Sequence, residues 1–450
     1  MPLPGKTVRL FLPSSPIHPV QWASSRGLFV AWVFIAALQA TPGHAETLDE
    51  AWRIALAGDH SVKSAHATTT SAKQRVDAAV SNRLPSLTLE AGYSAKTDPS
   101  AVDVSDLGLP VEAFQVDEKQ SASYAANVAV PLYTSGRIHN RIEAADSQAQ
   151  AAQLDESAVL QALKLQVAQA YIAVLRSQQD KIVADSQVAS LAAHAAETDS
   201  LFKQGLTDRN AVLSARVTLA DARQQVIQAQ NRVDIALSAY NRLLQRPLDT
   251  GVSLEDPTPQ NPPGPLPELI NRALAQRPEI LSLTRQVEAL HHRSAAERAT
   301  NRPQLTLNGG YRYDQNRFQV NEGIWAVGVN LKWNAFDGGR SRYDSSAIAQ
   351  QAGALTESLA DQRSKLTVAV RKVWLDLHES QSRLQVTEQA VAQADENLHV
   401  ARSLFKRGMA KHTQVLDAEQ LRTRTLNNHT QARYDHLMSA IRLRYELGEL

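Results

Sequence analysis

The sequence predicts an α+β chain built from two tandem copies of one unit, each of which joins a pair of amphipathic strands to a very long helical hairpin. Three observations lead to this prediction. The hexapeptide SLFKQG at 200–205 returns as SLFKRG at 403–408. Two proline-free spans show helical periodicity, and four short segments alternate with period two. Internal repetition of this length constrains a fold more than any local motif does.

The duplication extends well beyond the hexapeptide. The two copies of it lie 203 residues apart (403 − 200), and flanking residues match at the same offset. The matched pairs include Val212 with Val415, Leu213 with Leu416, Ala215 with Ala418 and Gly136 with Gly339. Upstream the offset is 218, where LPSLTLEAGY (84–93) meets RPQLTLNGGY (302–311). The first copy therefore carries 15 additional residues (218 − 203), which we expect to enlarge a surface loop near 98–119.

Residues 1–45 have the pattern of a secretory signal peptide. They hold Lys6, Arg9 and Arg26 and no acidic residue, followed by the apolar run LFVAWVFIAALQA (28–40) and the small-residue sequence GHA before Glu46. The alternative is a membrane anchor, but an apolar run of about 13 residues is short for a bilayer span. We therefore expect an exported protein that begins at Glu46.

Composition excludes several classes of protein. The chain has no cysteine, which excludes disulfides and thiolate metal sites. Without residues 1–45, 44 basic residues (47 − 3) face 46 acidic ones, so the balance does not indicate nucleic-acid binding. No nucleophile–base pair, paired-carboxylate site, metal signature or cofactor motif stands out, so the sequence predicts no enzyme and no cofactor.

Proline placement defines the long helices. No proline occurs between Pro131 and Pro247 or after Pro303, and proline inside a helix costs about 3 kcal/mol. Apolar residues recur at helical spacing at 163, 167, 171 and 174, and again at 366, 370, 374 and 377. The pattern predicts helices over 137–204 and 340–407, each roughly 100 Å long, that end before Gly205 and Gly408. Return helices follow over about 209–245 and 412–447.

The remaining segments read as strands, short helices and a linker. Leu87, Leu89, Ala91 and Tyr93 alternate with polar residues, and comparable alternation occurs in the three other strand segments. A helix precedes each strand pair, at about 48–82 and 266–300. The predicted organisation is a first repeat over 46–250 (strand pair 85–134, hairpin 137–246), a Pro-rich linker over 251–265 and a second repeat over 266–450 (strand pair 303–334, hairpin 340–448).

The strand faces carry aromatic residues of the kind found at a membrane interface, namely Tyr93, Tyr124, Tyr311, Tyr313, Trp325 and Trp333. A strand of about ten residues has the length that crosses an outer membrane. Four strands cannot close a barrel, and unpaired strand edges are not tolerated in lipid. Several chains must therefore share one barrel, of eight strands for two chains or twelve for three.

The whole chain from 46 onward resembles the TolC-like outer-membrane efflux and secretion channels. The resemblance depends on PSLTLEAGY and PQLTLNGGY, on VAVPLYTSGR and LKWNAFDGGR, and on LFKQGL…VLSA and LFKRGM…VLDA, which occur twice in the same order. It implies a homotrimer with a twelve-stranded transmembrane barrel and a coiled-coil tunnel that reaches through the periplasm. It also implies docking onto a periplasmic adaptor (membrane fusion) protein and an inner-membrane pump of the RND or ABC type.

The resemblance also implies two kinds of site. The hairpin tips, Gly205, Leu206, Gly408 and Met409, match positions that meet the adaptor. Asp417 matches a position where carboxylates ring the closed periplasmic entrance. The second acidic position of that entrance is Gln414 here, and the counterpart of Asp417 in the first copy is Ser214, so we expect a ring of reduced charge.

Two classes of function follow. One is a passive export duct whose energy comes from a partner pump. The other is a structural or adhesive coiled-coil protein of the periplasm or surface. The four amphipathic strands favour the duct, because a coiled coil alone has no use for them.

Overall fold

The computed structural model describes residues 45–103, 113–259, 262 and 264–450. The predicted signal peptide up to residue 44 lies outside them. The helices are α1 (Leu48–Gly58), α2 (His60–Ser81), α3 (Arg137–Lys203), α4 (Arg209–Leu243), α5 (Leu266–Gln276), α6 (Pro278–Arg298), α7 (Arg340–Lys406) and α8 (His412–Leu447). The strands are β1 (Ser86–Ala95), β2 (Ala101–Asp103), β3 (Ala113–Gln115), β4 (Gln120–Tyr133), β5 (Gln304–Asp314) and β6 (Gly323–Lys332).

The four long strands form one antiparallel sheet in the order β1-β4-β5-β6. The register pairs Leu89 with Ala126, Ala126 with Tyr311, and Tyr311 with Trp325. Because directly paired residues point to the same side of a sheet, the apolar faces of all four strands join into one continuous apolar face. The opposite face is mostly polar or small. β1 and β6 are the two edges of this sheet.

The long hairpins match in length. α3 and α7 each contain 67 residues, and each packs along its return helix, α4 or α8. The predicted apolar positions form the buried seam: Leu163, Val167, Tyr171 and Val174 on α3, and Leu366, Val370 and Leu377 on α7, with Trp374 half-buried. Alanine, leucine and glutamine sustain helix over this length because they lose little side-chain freedom in it.

The helix before each strand pair is two helices, not the single one predicted. In the first copy Asp59 interrupts it, because its carboxylate accepts hydrogen bonds from the backbone N–H of Ser61 at 2.7 Å and Val62 at 3.4 Å and so begins α2. In the second copy Pro278 occupies the first turn of α6, a position where its missing N–H costs nothing.

The enlarged loop of the first copy contains structure that was not predicted. β2 and β3 pair antiparallel within the span 98–119, while residues 104–112 of that loop lie outside the described part. Asn316, in the loop between β5 and β6, donates to the carbonyl of Val116 at 3.0 Å. The two loops at this end of the sheet are therefore joined.

The first residues of the described chain pair with the linker and with the end of the first repeat. Glu46 pairs through its backbone with Ser253 and Glu255 of the linker. Arg246 contacts the Glu46 carboxylate with two nitrogens, at 2.8 and 3.1 Å, and Tyr240 donates to it at 2.8 Å. These contacts secure the end of the first repeat.

Among the described residues, α3 is long and apolar enough to cross a membrane by length and composition. Its apolar side chains are used in packing, because α3 contacts α1, α2, α4, α6 and α8.

Candidate functional site

The two hairpin tips have the same backbone geometry. Gly205 and Gly408 adopt φ of 73° and 74°, the left-handed region where a side chain is strained. The N–H of Leu206 donates to the carbonyl of Leu201 at 2.9 Å, and the N–H of Met409 donates to that of Leu404 at 2.9 Å. This pattern closes the last turn of each helix, so the repeated hexapeptide is explained as two helix ends that need glycine.

The side chains that follow these glycines are exposed. Leu206 and Met409 project into solvent at their respective tips, although the residue at this position commonly packs back onto the helix end. The structure thus presents an apolar side chain beyond each long helix, while contact with a partner stays a proposal.

The predicted entrance residues differ in what they do within one chain. The Gln414 side chain accepts a hydrogen bond from the backbone N–H of Lys411 at 3.0 Å and caps the start of α8. Asp417, one turn further along, is exposed and has no hydrogen bond or ion pair within the described chain. Because glutamine carries no charge, Asp417 is the one of these two residues that can contribute charge to an entrance.

A buried charged cluster near the second tip was not predicted. Glu419 of α8 is 1% exposed and forms an ion pair with Arg402 of α7, and both contact the hydroxyl of Ser190 on α3. Further from the tip, Arg422 of α8 contacts Asp395 of α7 at 2.5 Å and Ser186 of α3 at 3.3 Å. The second hairpin is therefore fastened to the first by polar contacts.

The charges at equivalent positions of the two copies indicate this cluster in the sequence. At the offset of 203, Arg402 and Glu419 correspond to Asp199 and Arg216, which carry the opposite charges. Arg216 contacts Asp199 at 2.9 Å. An ion pair is kept at the same place in both copies with its signs exchanged, and a comparison of charges between copies would have found it.

His194 of α3 is also buried at this level. Neither of its ring nitrogens has a hydrogen-bond partner, and its ring lies 5.1 Å from that of Phe405. Burial, with a smaller effect of His412 and Arg402, lowers the pKa of His194 to about 4. The packing at the tips therefore requires a neutral imidazole.

The sheet carries aromatic residues at both ends. The rings of Tyr124 and Tyr313 stack at 4.5 Å, and those of Tyr311 and Trp325 lie 5.2 Å apart; with Tyr93 they occupy the end of the sheet next to the loops. Trp333 follows β6 at the helical end and donates to the carbonyl of Asn301 at 3.1 Å. Tyr133, on the same end and not predicted, pairs with Leu305 on the apolar face across a bulge.

A sheet that is apolar on one face, edged by unpaired strands and continued by long amphipathic helices, defines a subunit of a membrane-spanning conduit. The family described as Outer membrane efflux protein matches this chain twice, at residues 52–244 and 269–449. The chain belongs to that family. It is an outer-membrane channel protein of the efflux and secretion class with a long periplasmic helical part, and not an enzyme.

Individual relatives agree with this assignment. The chain is 25% identical to Outer membrane protein TolC of Vibrio cholerae over 90% of this chain and 91% of that protein. It is 25% identical to Alkaline protease secretion protein AprF of Pseudomonas aeruginosa over 64% of this chain and 62% of the relative. The solved structure of the outer-membrane channel OprN has a TM-score of 0.76 at 21% identity, with 90% of each chain covered. That likeness supports the fold.

Proposed function

We propose that three copies of this chain close head to tail into a passive duct, with a shared twelve-stranded barrel in the outer membrane and a helical tunnel in the periplasm. The observation that carries this proposal is that the contacts between repeats are only half satisfied within one chain. α3 packs against α6 and α8 of the second repeat. The duplication relates α3 to α7, α6 to α2 and α8 to α4, yet α7 has no comparable packing on α2 or α4 in the described chain.

Side-chain burial supports the same pairing. Ile172 on α3 is 5% exposed, whereas its equivalent Leu375 on α7 is 51% exposed. Met438 on α8 is 8% exposed, whereas its equivalent Ile235 on α4 is 61% exposed. Ile172 and Met438 belong to one buried cluster. We infer that Leu375 of one copy and Ile235 of the next form the equivalent cluster between chains.

The sheet follows the same rule. Within one chain β4 of the first repeat pairs with β5 of the second. The equivalent pairing, of β6 with β1, does not form among the described residues, so both strands are available to the next copy. Pairing of β6 with a neighbouring β1 removes the strand edges that lipid does not tolerate. The continuous apolar face would then surround the barrel, and the polar face would line its lumen.

This pairing is heterologous, and a heterologous contact closes into a ring when its repeated rotation completes a full turn. The number three comes from the family resemblance. Native mass measurement of the detergent-extracted protein tests it, together with conductance in planar bilayers. A trimer that conducts is the expected result. A stable monomer that stays soluble without detergent would instead favour the structural or adhesive coiled-coil alternative.

The exposed side chains at the tips support the proposal that the duct docks onto a periplasmic adaptor protein. This adaptor would couple the duct to an inner-membrane pump of RND or ABC type. An exposed apolar side chain beyond each helix is complementary to an apolar socket on a partner. The names of two relatives, an alkaline protease secretion protein and a cation efflux system protein, indicate either polypeptide or ion cargo. The variant Leu206→Asp/Met409→Asp should lose pull-down of its adaptor, whereas Leu248→Asp, exposed but remote from the tips, should retain it. Equal retention by both would remove the tips from the docking surface.

The exposed carboxylate of Asp417 supports the proposal that three copies of it form a weak cation-binding ring at the periplasmic entrance. Three carboxylates around one axis attract cations, and Gln414 adds no charge to them. Asp417→Ala should abolish block by divalent cations in single-channel recordings, while Glu388→Ala, an exposed residue of α7, leaves it unchanged. An Asp417→Ala channel with the parental cation sensitivity would place the gate elsewhere.

A further inference from the structure

The two ends of the sheet differ in charge. The four segments that join strands to helices (82–85, 134–141, 298–303 and 333–342) contain seven arginines and one acidic residue, Asp337. The two loops at the other end (96–119 and 314–322) contain eight acidic and three basic residues. The sheet that spans the membrane is therefore basic at its helical end and acidic at its loop end.

Hydrogen bonds hold the helical-end segments at one level. The Ser135 hydroxyl donates to the carbonyl of Pro303 at 2.5 Å, and Arg137 donates to the Gln304 side chain at 3.1 Å. The Trp333 indole donates to Asn301, which precedes Arg302. These contacts bring the segments from both repeats together around the end of the strands, next to the apolar face that carries Trp333.

Most of these arginines are not neutralised within the chain. Arg83, Arg298, Arg302 and Arg342 are exposed and have no ion pair among the described residues, while Arg340 lies 3.4 Å from Asp344. Large apolar side chains are exposed at the same level, namely Leu84, Leu132, Tyr133, Trp333, Phe336 and Tyr343. Aromatic residues sit at the boundary between hydrocarbon and headgroups, and arginine binds phosphate oxygens through two donors at once.

We propose that Arg83, Arg302, Arg340 and Arg342 form an arginine collar that binds the phosphates of anionic phospholipids in the periplasmic leaflet of the outer membrane. The collar and the exposed aromatic side chains together match a lipid whose acyl chains lie against the sheet and whose headgroup lies against the helical end. Basic groups next to a membrane span attract anionic lipid at short range. The acidic loop end offers no such attraction, so the collar also favours one orientation of the barrel. This inference rests on the proposed barrel and its direction in the membrane.

Native mass spectrometry of the detergent-extracted channel, titrated with phosphatidylglycerol or with phosphatidylcholine, tests the collar. The parent should bind phosphatidylglycerol on the order of tenfold more tightly than phosphatidylcholine, and the preference should weaken with salt. The variant Arg83→Gln/Arg302→Gln/Arg342→Gln should lose the preference. The matched variant Arg53→Gln/Arg424→Gln/Arg442→Gln removes three exposed arginines of α1 and α8 and should keep it.

Each outcome decides between explanations. A collar variant that keeps the preference as an intact trimer overturns the collar but leaves the channel proposal standing, because the same spectrum reports the number of chains. Equal loss in both variants would assign the preference to overall charge and overturn the collar. Inorganic phosphate is added as a competitor, and displacement of the lipid by it would assign a soluble-anion site instead. If the triple variant does not assemble, the single variants Arg302→Gln and Arg342→Gln are measured, and an unchanged preference in both counts against the collar.

Discussion

The first and second repeats fold alike but bury equivalent surfaces to different extents. Thr430 on α8 is 4% exposed, whereas the equivalent position on α4 holds Ile227, which is 71% exposed. At this position the exposed helix, α4, thus carries the more apolar residue. For α3 and α7 the uncovered helix belongs to the second repeat: Val386 on α7 is exposed, whereas its equivalent Val183 on α3 is buried. The proposed assembly explains this difference, because each repeat would be flanked on both sides and one chain supplies only one of those flanks.

Substitution within the uncovered surface should have the largest effect. Leu375→Asp places a charge where α4 of the next copy would pack, and burial of an unpaired charge is strongly unfavourable. We expect the trimer to be lost, as measured by native mass. Ile182→Asp is the matched control, since Ile182 is exposed on α3 and its equivalent, Gln385, is also exposed. Loss of the trimer in both variants, or in neither, would show that the exposed surface around Leu375 is not the contact between copies.

The charge-exchanged ion pairs give a second, smaller contrast. In a chain kept single by Leu375→Asp, Glu419→Gln leaves Arg402 without its buried partner and should destabilise the tip by up to about 3 kcal/mol. Asp199→Asn breaks the more exposed pairs with Arg216 and Lys203 and should have a smaller effect, because solvent screens exposed ion pairs. Hydrogen exchange of backbone amides near the tips measures both. Equal amide protection in the two variants would mean that the burial of an ion pair does not determine how much it stabilises its tip.

The stability of the tips should also depend on pH, through His194. Because burial lowers the pKa of His194 from 6.5 to about 4, the unfolded chain binds the proton more tightly than the folded one. The stability that neutral His194 provides is complete above pH 6.5 and is lost as the pH falls toward 4. Amide protection near His194 should therefore decrease over that interval and return when the pH is raised.

His194→Phe is the control for that measurement, because it fills the same apolar space beside Phe405 without a titrating group. Its protection should be independent of pH between 6.5 and 4. A parental pH dependence in this variant would assign the effect to groups other than His194.

Some parts of this fold could be predicted from sequence and others could not, for physical reasons. The proline-free spans and the glycines at 205 and 408 placed the ends of the long helices within one residue, because backbone chemistry determines where a helix stops. The division of α1 from α2 depends on the side chain of Asp59, whose capping contacts are not visible in periodicity. The β2–β3 pair is too short to give an alternating pattern.

The candidate site divides in the same way. Leu206 and Met409 follow directly from their glycines, so local sequence was sufficient to locate the two tips. The cluster of Ser190, Arg402 and Glu419 joins three helices from both repeats, and no local spacing reveals such a contact. The uncovered faces of α4 and α7 required the structure, because only a comparison of burial between equivalent positions separates them from ordinary packing.

The proposed packing of α4 of one copy on α7 of the next can be tested with a disulfide between the two helices. The chain has no cysteine, so Ile235→Cys/Leu375→Cys introduces the only two. Under mild oxidation of outer membranes, we expect linked dimers and trimers on denaturing gels, with no larger species, and monomers alone for either single variant. A double variant that remains monomeric after oxidation, while native mass still reports a trimer, would show that α4 and α7 do not meet between copies and would place the contact on other faces.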